Sequence, residues 1–179
     1  GINAPTGNNI IDSVLIGDSA GIHSRHRDGI CIGNGAGWNS TSQLSNEDVS
    51  ERSIFIGTNS GQQAFGSSDS IGIGVSSLKN RQGGSNIAIG TNAGATSYLA
   101  HDESLYSTYN IYIGRYAGSN HTPSSKNIFI GYNVGASENS GIDNQLRIGA
   151  GNGLDLIYGE MRGSSANSLF KINADNIHL

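Results

Sequence analysis

The chain has 179 residues, of which 13% are charged, 27 are Gly and 2 are Pro, with a formal net charge of −4. Charge at about half its usual share and Gly at about twice it argue against an ordinary globular domain, and two prolines exclude a collagen-like or Pro-rich linker class. Ten scattered basic residues make no phosphate-tracking stripe, so no nucleic acid is expected as a partner. No run of about 18 apolar residues occurs, so no membrane insertion is expected.

Regularly placed Ile residues separate this composition from that of a disordered chain. The single Cys excludes an intrachain disulfide framework. With no initiator Met and no signal peptide, the stretch reads as part of something longer.

Taken in chain order, one unit recurs. It is Ser13-Val14-Leu15-Ile16-Gly17, then Gly29-Ile30-Cys31-Ile32-Gly33, then Ser53-Ile54-Phe55-Ile56-Gly57, then Ser70-Ile71-Gly72-Ile73-Gly74. Asn86-Ile87-Ala88-Ile89-Gly90, Asn110-Ile111-Tyr112-Ile113-Gly114 and Asn127-Ile128-Phe129-Ile130-Gly131 follow, with a weaker copy at Gln145-Leu146-Arg147-Ile148-Gly149. A repeat at this period predicts a solenoid, in which each unit buries against its neighbours what it cannot bury alone.

The period-2 alternation predicts one strand per unit, followed by a Gly and a corner of the form x-Asn-Ala-Gly, as in Thr91-Asn92-Ala93-Gly94. Asn and Gly suit the left-handed backbone of such a corner. Small residues there, Ala20, Ala36, Ala93 and Ala117, fit a narrow interior.

The alternation also predicts that the paired Ile positions face the coil interior, with Ile56, Ile89 and Ile130 inaccessible and residues 40–50 exposed. The middle position is then apolar on the outside. On that reading Leu15, Phe55, Ala88, Tyr112 and Phe129 form a homotrimer interface on a symmetry axis. Spacings between the aligned Gly residues repeat as a triplet, with long steps enclosing Trp38–Arg52 and Ala95–Tyr109. This admits either duplication of a three-coil block or three repeats per revolution about a threefold axis. The expected class is therefore all-β: a β-solenoid or β-roll, or an intertwined triple β-helix rod, homotrimeric. Residues 1–143 are the repeat solenoid and 144–179 a closing β segment.

The units at 86–94 and 127–135 resemble the repeats of bacteriophage tail-fibre proteins, and are similar to the head repeats of trimeric autotransporter adhesins. Both resemblances imply a homotrimeric β-rod projecting from a virion or a cell. The run Asn144–Gly149, then Leu156-Ile157-Tyr158-Gly159, then Leu169-Phe170-Lys171-Ile172-Asn173, resembles the segment closing phage fibre repeats. In that family this segment often precedes a chaperone that cleaves itself off after trimerisation, and an end at Leu179 suits such a cleavage. Variable loops and the absence of a heptad stalk favour the phage fibre, located in the virion. Expected partners are further copies of the chain, other tail or fibre proteins, and a host cell-surface saccharide. The alternatives are a bacterial adhesin head on the cell surface and a polysaccharide-degrading tailspike.

Candidate chemistry is sparse. Glu47, Asp48 and Glu51, and Asp102 with Glu103, read as solvated loop carboxylates, so no enzyme activity is expected. His23 and His26 lie among Arg25 and Arg27 and lack further ligands, and the aspartates lack calcium-loop spacing, so no metal or other cofactor is expected. Cys31 reads as a buried small hydrophobe. Loop aromatics beside polar side chains are the better lead for saccharide recognition: Trp38 and Asp48 in the first long loop, and Tyr98, His101, Asp102 and Tyr106 in the second.

Overall fold

A computed structural model of the chain describes residues 12–24, 26–39, 50–97, 106–121, 123–136, 143–151, 154–160 and 168–172. Among the described residues the fold is all-β, a solenoid of about six turns with no helix. Its strands are β1 (Val14–Ile16), β2 (His26–Arg27), β3 (Ile30–Ile32), β4 (Ser50–Glu51), β5 (Ile54–Ile56) and β6 (Ile71–Ile73). They continue as β7 (Ile87–Ile89), β8 (Ile111–Ile113), β9 (Ile128–Ile130), β10 (Gln145–Gly149), β11 (Asp155–Glu160) and β12 (Leu169–Ile172).

One ten-stranded sheet runs β1-β3-β5-β6-β7-β8-β9-β10-β11-β12, and β2 pairs with β4 in a small second sheet. Pairing is parallel and in register from β1 to β10, middle residue on middle residue. It then turns antiparallel through β11 and β12. Each unit thus stacks directly on the next unit of the same chain. One repeat is one coil of the single chain, the β-solenoid form of the expected class.

The corners follow from local backbone chemistry. Each coil turns at residues with a left-handed backbone, in columns such as Asn59, Ser76 and Asn92, or Arg52, Asp69 and Ser85. Asn is at ease there and its neighbours are small. Corner backbones also bond from coil to coil, as in Gly37 N–H to the Ser60 carbonyl at 2.8 Å and Gln63 N–H to the Trp38 carbonyl at 2.8 Å. Gly is obligatory after the three-residue strands of the repeat. At Gly33, with φ at +131°, a Cβ would meet the Gly57 carbonyl carbon at 2.7 Å.

The core lies opposite to expectation. Cys31, Phe55, Ala88, Tyr112 and Phe129 point inward and are fully buried, with Leu15 partly buried against them. The Ile pairs point outward: Ile89 is 40% exposed, and Ile56 and Ile130 are half-buried rather than inaccessible. The physical reason is room. A coil this narrow admits one large side chain per strand, backed by the small corner residues Ala20, Ala36, Ala93 and Ala117, which are buried as expected. At Gly94 a Cβ would press on the Tyr112 ring at 2.7 Å. Where the middle residue shrinks to Gly72 and Ala88, Leu78 occupies the corner position that Gly61 and Gly94 hold elsewhere, and adds the missing bulk.

Candidate interaction face

The first residue of each unit shares the inward face with the middle one. Asn86, Asn110 and Asn127 are fully buried and form a ladder. The Asn86 Oδ1 accepts from the Asn110 backbone N–H at 3.0 Å, the Asn110 Oδ1 from Asn127 N–H at 2.9 Å, and the Asn127 Oδ1 from Gln145 N–H at 2.8 Å. Each Asn therefore satisfies a donor that the coil geometry would otherwise leave unpaired. Arg81 is buried as well, and its guanidinium crosses three coils. It donates to the Gly94 carbonyl at 2.7 Å and the Gly118 carbonyl at 2.8 Å, and lies 5.3 Å from the Tyr112 ring centre. Burial pushes the Tyr112 hydroxyl above its ordinary pKa, and the Arg81 charge opposes that rise.

With the interior filled, the outward face of the sheet is left as an unbroken apolar strip. One ladder runs Val14, Ile30, Ile54, Ile71, Ile87, Ile111, Ile128 and Leu146, then passes Gly159 to Phe170. The other is Ile throughout: Ile16, Ile32, Ile56, Ile73, Ile89, Ile113, Ile130, Ile148, Ile157 and Ile172. The switch to antiparallel pairing leaves the strip intact, because directly opposed residues point to the same side of a sheet. At its ends Ile16 is 55% and Phe170 64% exposed. Ten strands at about 4.8 Å make it roughly 43 Å long. Its apolar area is on the order of 500 Å², at the upper end of what a lone soluble protein presents.

Polar rims border the strip. Arg52 is held by Asp69 at 2.7 and 3.0 Å and by Glu51 at 2.9 Å, and Arg27 reaches Glu51 at 2.9 Å. The hydrogen bond from Arg52 keeps the Asp69 carboxyl below its ordinary pKa. On the opposite rim the Arg115 guanidinium lies 4.9 Å over the Tyr116 ring, and Tyr116 meets Tyr132 edge-on at 6.4 Å.

Of the residues singled out for receptor contact, Trp38 is half-buried with its ring edge-on to His23 at 6.4 Å. Tyr106 is exposed beside Gly66. Asp48, Tyr98, His101 and Asp102 lie outside the described residues, as do 40–49 of the stretch expected to be exposed. The expected interface residues Leu15, Phe55, Ala88, Tyr112 and Phe129 are closed off inside the chain's own coil, so that assignment is corrected: the face open to a partner is the Ile face.

His26 is buried, its Nε2 3.3 Å from the Gly37 carbonyl and 3.7 Å from the Cys31 sulfur. Burial pushes the Cys31 thiol up to about 12. No cluster of three metal-capable side chains occurs among the described residues. None of these residues forms a helix long and apolar enough to cross a membrane. Sequence reasoning missed the Ile strip. The signal available was the Asn that opens three of the units, Asn86, Asn110 and Asn127, which shares the middle residue's side of the strand and needs a sheltered ladder.

No protein-family model, curated protein or solved structure matches this chain.

Proposed function

We propose that the chain is a structural segment of a homotrimeric fibre of the bacteriophage tail-fibre kind, in which copies pack their Ile ladders around a common axis. The observation that carries this reading is the apolar strip along the sheet, whose second ladder is Ile at every rung from β1 to β12, on a coil whose own interior is already full. A surface with a 4.8 Å rung repeat over ten strands is matched along its length by another surface of the same period, and a second copy of the chain has one.

The repeat units, and the closing run through Leu169–Ile172, support the phage-fibre form of the rod by their resemblance. Host contact falls to the two long loops, whose flanking residues Asn39 and Thr96 stand in one corner column three coils apart. The described residues that lead into both loops therefore lie along the same edge of the rod. Light scattering tests the reading: a mass of three times 18.6 kDa is the expected result, and a stable monomer overturns it.

A further inference from the structure

Each rung of the Ile face is flanked by one residue on either side. The residue two before the first Ile, Tyr109 at β8 and Lys126 at β9, has a left-handed backbone and forms one rim. The residue after the strand-ending Gly, Arg115 at β8 and Tyr132 at β9, forms the other. Resting on the reading that copies pack through this face, we propose that the rims set the orientation of the copies. The first rim of each rung meets the second rim of the same rung in the neighbouring copy, so that all copies run parallel and level.

Two arguments lead there. Rotation about an axis along the rod carries no shift along it, so like rungs meet and opposite rims face each other; copies running in opposite directions would bring like rims together. The chemistry of successive rungs then fits the parallel case. Tyr109 is 62% exposed, and across the seam from it stands Arg115, whose guanidinium already has one flat side on Tyr116. The ring of Tyr109 would take the other side.

One rung on, exposed Lys126 faces Tyr132, which is 55% exposed. Both rungs thus set a cation against an aromatic face. A slip of one rung would instead set Lys126 against Arg115, like charge against like. The β1 rung sets Asp12 against Asp18 in the parallel arrangement, so the selectivity resides at β8 and β9.

Thiol cross-linking tests this on the full chain. Cys31 does not interfere, being fully buried. Within one chain positions 109 and 115 are separated by a whole strand, roughly 20 Å of extended backbone, so a short cross-linker joins them only between copies. The expected result is covalent trimers from a Tyr109→Cys/Arg115→Cys variant and none from Arg52→Cys/Arg115→Cys, which is three rungs out of step and so roughly 14 Å further along the rod. Linkage in the second variant, or in Arg115→Cys alone, overturns the parallel, level arrangement. An oligomer that links at neither pair overturns the rim pairing while leaving association through the ladders intact. A monomer by light scattering of the unaltered chain removes both.

Discussion

The strand Ile111-Tyr112-Ile113 has two faces in different surroundings. Inward, Tyr112 is sealed between coils, tilted against Phe129 at 5.8 Å with Arg81 over its ring. Outward, Ile111 and Ile113 lie in the long strip, half-buried and exposed respectively. The side that varies from unit to unit, through Cys, Phe, Gly, Ala and Tyr, holds the coil together. The side that hardly varies is left uncovered by the described residues. In a stacked coil the interior tolerates variation because neighbouring rungs exchange volume, as Leu78 does beside Gly72 and Ala88. A face that must match a copy of itself at every rung has no such freedom.

That contrast is broken most forcefully from the inside. Phe129 touches Tyr112, meets the His121 ring at 5.1 Å and lies under Arg147 at 5.9 Å. Phe129→Ala leaves a cavity that a coil closed by backbone hydrogen bonds on every side collapses into poorly. The expected loss is about 3–5 kcal/mol, read as a lower denaturation midpoint in urea with the transition slope retained.

The Asn ladder sharpens the same comparison at smaller cost. Asn110 Oδ1 accepts from Asn127 N–H, and its Nδ2 donates to the Ser124 carbonyl at 2.9 Å. Asn110→Leu keeps the branched heavy-atom outline, with slightly bulkier ends, and strands both partners inside the coil. A loss of about 1–3 kcal/mol is expected, with faster amide exchange at Asn127 as the local signature. Exchange at Asn127 no faster than in the parent chain would show that the ladder adds nothing beyond the backbone pairing.

Much of the fold was legible. Aligned Gly residues mark the coil stacking, Asn59 and Asn92 mark corners that do take a left-handed backbone (φ 56 and 55), and Ala93 and Ala117 announce a narrow interior. The inside and outside of the strand were not legible from alternation alone. Period 2 separates two faces without saying which is inner, and here both are apolar. Residue volume and the buried Asn decide it, and both depend on how wide the coil is, a property of the closed structure. The rims were equally hidden: Tyr109 and Arg115 become flanks of one face only once the register of β8 is known. The direction of the β11–β12 ending is likewise set by pairing rather than by any residue in Leu169–Ile172.

The smallest effect on the single chain is expected at the outer face, and it divides the two sides most cleanly. Ile73 and Ile89 sit on adjacent rungs of the second ladder, 37% and 40% exposed, and point away from the core. Ile73→Asp/Ile89→Asp therefore spares the core and removes only the part of each side chain that its strand neighbours cover. The cost to the isolated coil is expected to be about 1 kcal/mol per site, from that partial burial and from placing Asp in a strand. Association is another matter, since two carboxylates near the middle of the strip would have to be desolvated, with no basic partner within the ladders. The expected outcome is a chain of monomer mass by light scattering whose far-ultraviolet circular dichroism keeps its β signature. A variant that unfolds instead would place Ile73 and Ile89 in the core of the single chain and reverse the assignment of the two faces. One that remains a trimer would mean that copies meet elsewhere.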